Sequence, residues 1–151
     1  MTTPTFEQFD PAVAESFAKM DLTATGLPAF LGIRTVALDA GRMVAEIDVR
    51  PELLNPFGSL HGGTIAALVD HVLGAVLYPV IERGAWAATT EFKLNLIAPV
   101  RDGVLRAESR IISITKRTAV VQIDVTNGER LAGAALGTVM IKPPTPRATQ
   151  N

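Results

Sequence analysis

A chain of 151 residues, 48% hydrophobic and 19% charged, is long enough for one domain with a real core and too apolar for a disordered or nucleic-acid-binding tail. Its formal net charge of −1 excludes a general electrostatic attraction to DNA or a membrane surface. The absence of cysteine excludes disulfides, thiolate metal sites and a cysteine nucleophile.

Residues 1–25 read as an N-terminal segment. The opening M-T-T-P-T-F-E-Q-F-D has neither the basic nor the apolar region of a signal peptide, so a cytoplasmic protein is expected. Residues 1–9 read as loose. Asp10-Pro11 is a helix start, and Val13, Phe17 and Met20 give a short amphipathic helix ending near Asp21. Thr23 to Pro28 is a connector. Strand-like sequence follows at 30–38 and 43–50, joined by the turn Asp39-Ala40-Gly41-Arg42.

From Asn55 a polar, glycine-rich segment, N-P-F-G-S-L-H-G-G, runs directly into an apolar stretch. Ile65, Leu68/Val69, Val72 and Val76 recur at helical spacing until Pro79. A helix from Gly62 to Tyr78 would be roughly 25 Å long. It is apolar nearly all round and so reads as buried. Asp70, His71 and Pro79 interrupt the run, which argues against a membrane span.

Four further strands are expected near 86–98, 104–115, 118–126 and 131–142, separated by Glu82-Arg83-Gly84 and by turns at Asp102-Gly103, Lys116-Arg117 and Asn127-Gly128. In the first, Thr90, Phe92, Leu94 and Leu96 alternate with Thr89, Glu91, Lys93 and Asn95, which gives Thr90 the parity of the core face. Residues 26–142 thus form one domain, and 143–151, P-P-T-P-R-A-T-Q-N, read as a disordered tail. Six strands with short connections imply an antiparallel sheet wrapped round one long helix, an α+β domain. The helix is apolar on more sides than one sheet can cover, so a second subunit should cover the remainder.

Asp70 is the anomaly in that helix, because a buried carboxylate is costly unless paired or used. Its neighbours one turn away are Ala66, Ala67, Leu73 and Gly74, with Gly63 two turns back. A stripe of small residues suits a carboxylate facing a cavity or a closely packed helix. It equally suits a polar residue near a subunit interface.

Gly62 and Gly63 begin the helix, where free N–H groups and the helix dipole favour an anion or a developing oxyanion. Alternatively, the glycines only serve a tight turn. Asn55, before Pro56, is a plausible turn-holding amide. His61 is a base, a substrate contact or a satisfied loop histidine, and His71, about 100° round the helix from Asp70, is a packing or surface residue. Lys116-Arg117, with Arg101 and Arg110 nearby, either binds phosphates or is a solvated turn. No G-x-S-x-G, P-loop or H-E-x-x-H motif occurs, and two histidines without cysteine argue against a zinc site.

Gly62 and Asp70 are eight residues apart, about 12 Å along a helix. They cannot serve one small reacting group within a chain. Two such helices lying antiparallel across a two-fold axis would bring one chain's N-terminus beside the other's Asp70 and create two equivalent sites.

The pattern N-x-x-x-x-x-H-G-G from Asn55 to Gly63, with Asp70 nine positions after His61, resembles the hotdog-fold acyl-CoA thioesterases, and most closely the PaaI-like, phenylacetate-degradation branch. P-A-F-L-G-I-R, A-T-T-E-F-K-L-N-L-I-A-P-V-R-D-G and the basic turn at Lys116 extend the likeness over roughly residues 25–142. The resemblance implies a homodimer or dimer-of-dimers, with a fatty or aromatic acyl-CoA at the subunit interface and no cofactor. Carried over by position, the Gly62 N–H polarises the thioester carbonyl, with Gly63, Asn55 and His61 around it. Asp70 of the other subunit acts as general base or nucleophile, and Thr89, or Thr90, orients the water. Lys116 and Arg117 would meet the CoA phosphates or the pantetheine exit. Two other readings remain within the fold: an acyl-CoA-binding or regulatory domain without turnover, and a dehydratase, whose H-F-P-x-x-P context is missing here.

Overall fold

The computed structural model describes residues 4–20 and 25–144. Six antiparallel strands, β1 (Arg34–Asp39), β2 (Arg42–Asp48), β3 (Trp86–Leu96), β4 (Val104–Ile114), β5 (Thr118–Asn127) and β6 (Arg130–Lys142), form one sheet in the order β1-β2-β4-β5-β6-β3. The long helix α3 (Gly62–Ala75) lies against its inner face and ends in a 3₁₀ turn at Tyr78–Val80. Pro79 therefore closes the apolar run as expected, though the α-helix proper stops three residues before Tyr78.

Alternation in the strands explains how the sheet takes the helix. Ala45 and Ile47 of β2, Leu105 and Ala107 of β4, and Val121, Ile123 and Val125 of β5 are fully buried on one face. They meet Leu68, Val69, Val72, Leu73, Val76 and Leu77, also without exposed surface. Each large aliphatic side chain buried this way contributes about 1.5–3 kcal/mol. Ser109, fully buried, donates its hydroxyl to the Val72 carbonyl at 3.1 Å and ties β4 to the helix. Gly62–Val80, of mean hydropathy 1.5, would pass for a membrane span by length and composition alone. Its bulky side chains are instead the core of the sheet.

The outer face carries charges in register. Arg34 bonds Asp48 at 2.6 Å, Arg106 bonds Glu46 at 2.8 Å, and Arg42 and Arg110 converge on Glu108 at 2.7 and 2.5 Å. The hydrogen bond from Arg42, helped by the nearby charges of Arg110 and Arg106, lowers the Glu108 carboxyl below its ordinary 4.5 despite partial burial.

Two sequence expectations change at the N-terminal side. Strand structure was expected from residue 30, but Leu27–Leu31 is a short helix, α2, with Pro28 in its first turn. Gly32 (φ 68°) ends it, donating its N–H to the Ala29 carbonyl. Helix α1 (Pro11–Met20) forms as expected, capped by Asp10 Oδ1; Asp21, its expected end, is outside the described residues. Residues 4–9 have no regular structure, yet they are not loose. The Phe6 ring occupies the place a Cβ on Gly41 would take and packs on the core. Of the expected tail, residues 145–151 are outside the described residues.

Candidate active site

Asn55 organises the loop before α3. Its N–H donates to the Ser59 carbonyl (2.7 Å) and its own carbonyl accepts from Gly58 N (3.0 Å). Its Oδ1 accepts from Phe57 N (2.9 Å) and Ser59 N (3.3 Å), and its Nδ2 donates to Ser59 Oγ (3.0 Å). The side-chain amide is thus engaged by the loop itself, the turn-holding alternative of the sequence reading. Gly58 at φ 73° lets the chain reverse.

His61 is the N-cap of α3. Its N–H donates to Leu53 O at 2.9 Å, and its Nδ1 accepts from Gly63 N at 2.9 Å. Nδ1 therefore carries no proton in this arrangement. The cap also separates the two glycines. Gly63 N–H is committed to the imidazole, whereas Gly62 N–H has no hydrogen-bond partner among the described residues. Gly62 is the donor left at the positive end of the helix dipole.

Asp70 lies mid-helix and, contrary to the expectation of burial, is exposed within its own chain. The physical reason is the arrangement of bulk. The aliphatic side chains take the sheet-facing side of α3, which leaves Gly63, Ala66, Ala67, Asp70 and Gly74 exposed or half-buried on the opposite stripe. This stripe is the part of the helix that the chain's own sheet does not cover.

A register slip decides the orientation of the two threonines. β3 pairs with β6 as Ala87↔Ile141 and Thr89↔Val139, then shifts between Thr89 and Glu91 to Phe92↔Gly137 and Leu94↔Ala135. Cross-strand partners share a face, so Thr89 stands on the inner face with the fully buried Val139. Thr90, given core parity by simple alternation, is the exposed residue of the bulge and donates to the Thr138 carbonyl at 2.9 Å. A one-residue bulge inverts the alternation, and it is invisible in the spacing.

Lys116 and Arg117 are exposed in the β4–β5 turn, where Arg117 O accepts from Ile141 N. Ile141 pairs with Ala87 at the start of β3, whereas Gly62 meets Leu96 at its other end. Trp86 to Leu96 spans roughly 33 Å, so one chain holds its basic turn and its helix N-terminus at opposite ends. Among the described residues, no group of three His, Asp or Glu side chains is placed to hold a metal ion. Leu96 beside Gly62, 58% exposed, went unnoticed in the sequence; its alternation with Asn95 indicates a face but not a neighbour.

A helix jacketed by one antiparallel sheet, with H-G-G at its N-terminus, is the hotdog architecture. The model of the thioesterase superfamily matches residues 57–134, more than half of the chain. The chain belongs to that superfamily and is a thioester-hydrolase-type enzyme. It is similar to the proofreading thioesterase EntH of Klebsiella pneumoniae, 32% identical over 75% of this chain and 84% of that one. It is also similar to the 1,4-dihydroxy-2-naphthoyl-CoA hydrolase of Listeria monocytogenes, 30% identical over 78% and 96%. Among solved structures, a phenylacetic acid degradation-related protein of Ralstonia eutropha JMP134 superposes with a TM-score of 0.73 at 26% identity, over 82% of this chain and 98% of that one.

Proposed function

We propose that the protein is a cytoplasmic acyl-CoA thioesterase that hydrolyses a fatty or aromatic acyl-CoA to the free acid and CoA, acting as a homodimer or dimer-of-dimers. The observation that carries the reading is the division of labour on α3: a Gly62 N–H without a hydrogen-bond partner among the described residues at its N-terminus and, on the stripe its own sheet leaves uncovered, Asp70. The name of the similar 1,4-dihydroxy-2-naphthoyl-CoA hydrolase supports an acyl-CoA as the substrate class, and that of EntH supports thioester hydrolysis.

In the dimer, the uncovered stripes of two α3 helices pack antiparallel. β3 favours this arrangement, being a long terminal strand paired on one side only, with β6. Such an edge readily pairs with a second copy. One chain's Gly62 N–H then donates to the thioester carbonyl oxygen and stabilises the oxyanion that forms there. Asp70 of the partner subunit takes a proton from water as it attacks the carbonyl carbon, or attacks that carbon itself. The tetrahedral intermediate collapses by breaking the C–S bond, and CoA leaves as the thiolate; where Asp70 is the nucleophile, water then hydrolyses the acyl anhydride so formed, which releases the free acid and restores the carboxylate. Thr89, on the inner face of β3, orients the water. The same two-fold carries the partner's Lys116 and Arg117 towards the Gly62 end, where they meet the CoA phosphates or the pantetheine exit. Asn55 and His61 hold the loop and cap that place Gly62.

The test is release of free thiol from a panel of short, long and aromatic acyl-CoAs, without added metal or cofactor. Release is expected. Measurable binding with no release from any of them would favour a regulatory acyl-CoA-binding domain.

A further inference from the structure

Leu96 ends β3 on the helix-facing side of the sheet. It pairs with Gly133, two residues on from the pair Leu94↔Ala135, and residues two apart in a strand share a face. Leu94 packs on the core and Ala135 is buried, but Leu96 lies beyond them, 58% exposed within its own chain. Gly133 has no side chain to cover it. The backbone that carries Leu96 is nonetheless held. Ile97 N–H donates to the Ala132 carbonyl at 2.9 Å, and Leu60 N–H, just before the helix, donates to the Val100 carbonyl at 2.7 Å. The first bond fixes the end of β3. The second ties the segment after it to the loop that leads into α3. Main-chain contacts therefore set the gap between Leu96 and Gly62, and only the outer carbons of the leucine are free to turn.

That gap is narrow. A Cβ placed on Gly62 would be 2.9 Å from Leu96 Cδ1. Two bonds join the Cβ position to the Gly62 nitrogen, so Cδ1 is no more than roughly 6 Å from that nitrogen. A thioester oxygen accepting from the Gly62 N–H at roughly 2.9 Å puts its carbonyl carbon about 4 Å from the same nitrogen. In the first turn of a helix the N–H groups and the Cα–Cβ bonds both tilt toward the N-terminus. Leu96 Cδ1 and the carbonyl carbon therefore lie on the same side of Gly62, close enough for the leucine to touch a group bonded to that carbon.

We infer that Leu96 faces the α-carbon of the bound acyl group and selects against branching there. The inference rests on the acyl-CoA reading above, with the thioester carbonyl at the Gly62 N–H. Two groups are bonded to that carbonyl carbon, the α-carbon and the sulfur. The basic residues that meet CoA in that reading come from the partner subunit, whereas Leu96 belongs to the chain that supplies Gly62. Leu96 and the following Ile97, 53% exposed, present hydrocarbon alone. Hydrocarbon suits an acyl group and offers no hydrogen bond to the amides of pantetheine. A straight-chain or arylacetyl α-carbon bears two hydrogens and can turn one of them to the leucine. A trimethylacetyl group has no α-hydrogen, and every rotamer sets a methyl on that side. The leucine must then turn aside, as it must for a methyl placed on Gly62.

The readout is kcat/KM for trimethylacetyl-CoA relative to butyryl-CoA, measured for wild type, Leu96→Ala and Leu96→Phe, with Tm as the check on folding. Comparing the proteins on one pair of substrates cancels the lower intrinsic reactivity of the hindered thioester. The ratio is expected to rise by about tenfold in Leu96→Ala, the low end of what one methylene decides in an apolar site, and to fall in Leu96→Phe. A ratio equal to that of wild type in both variants would overturn the inference while leaving thioesterase activity standing. So would losses of equal size on both substrates, which would put the leucine against the sulfur. If none of the three proteins releases thiol from trimethylacetyl-CoA, the same ratio is read by calorimetry from the dissociation constants of the two thioesters. A relative gain in trimethylacetyl-CoA affinity in Leu96→Ala supports the inference, and equal relative affinity overturns it. Absence of release from butyryl-CoA and every other acyl-CoA is a separate failure, that of the hydrolysis reading.

Discussion

Leu96 of β3 stands directly against Gly62: its Cδ1 would be 2.9 Å from a Cβ placed on that glycine. The obstacle is the free end of a side chain that is 58% exposed, so Leu96 can rotate away. Alanine is also the better helix former by about 0.8–1 kcal/mol in a helix interior. Gly62→Ala should therefore fold with little change in Tm. The added methyl and the displaced leucine would crowd the space beside the Gly62 N–H, and kcat/KM should drop by at least about tenfold, the equivalent of about 1.4 kcal/mol. A variant with both normal stability and normal turnover would show that no substrate atom approaches this amide.

Gly137 provides the contrast. A Cβ there would meet Leu73 Cδ2 and Phe92 Cβ at 2.8 Å and the Glu91 carbonyl at 3.0 Å. Phe92 Cβ and the Glu91 backbone cannot swing aside as the end of Leu96 can, and the position is in the packed layer between sheet and helix. Gly137→Ala should destabilise the fold by about 1–3 kcal/mol, as overpacking does. Thermal or urea unfolding measures this directly, and an unchanged midpoint would refute the packing described.

Asp70→Asn keeps volume and shape and removes the base. Because Asp70 is exposed within its own chain, the monomer fold does not depend on its charge, and Tm should hold. Turnover of the best acyl-CoA should fall by about 10²–10⁴-fold, the range for lost general-base catalysis. Activity within a few-fold of wild type would make Asp70 structural.

Much of the fold was legible because its signals are local. The helix showed in the spacing of Ile65, Leu68, Val72 and Val76, and the β5–β6 hairpin in Asn127-Gly128, although the structure keeps Asn127 in β5 and makes the two-residue turn of Gly128-Glu129. What escaped notice depended on long-range contacts. The Thr89/Thr90 parity failed because a bulge inserts one residue without changing composition. The short helix at Leu27–Leu31 was obscured because Pro28 serves equally as a helix start and a connector. The exposure of Asp70 could not be read from apolar content, since small residues count as hydrophobic yet leave a side of α3 uncovered. Phe6 was unremarkable until Gly41, thirty-five residues later, supplied its socket.

Glu108 gives a pH signature independent of catalysis. Its carboxyl is held below the ordinary 4.5 by its hydrogen bond with Arg42 and by the surrounding arginines. A group depressed on folding stabilises the native state fully above its unfolded value and loses that contribution as pH falls through its folded one. Wild type should therefore exceed Glu108→Gln in stability at neutral pH, by no more than about 1 kcal/mol for so exposed a cluster. The gap should close as the pH drops below 4.5. A gap that stays constant or widens on acidification would contradict the ion-pair assignment. Unfolding midpoints of both proteins from pH 7 downwards measure it.

Complementation tests the sharing of the site between subunits. Asp70→Asn chains keep an intact loop and helix N-terminus. Asn55→Ala chains keep Asp70 but lose the three side-chain hydrogen bonds that hold the loop before Gly62, at about 0.5–1.5 kcal/mol each. Homodimers of either variant have a defect in both sites. In a mixed dimer with two-fold symmetry, both defects fall in one composite site and the other has none. Refolding the two inactive variants together should restore up to roughly half of the wild-type activity per mixed dimer, the share expected from one intact site of two. Subunit exchange is followed separately with a mass-tagged chain. If exchange proceeds and activity does not return, each chain supplies its own donor and carboxylate. The roughly 12 Å that separates Gly62 from Asp70 along α3 would then have to be bridged within one subunit, and the antiparallel pairing of the helices would be wrong.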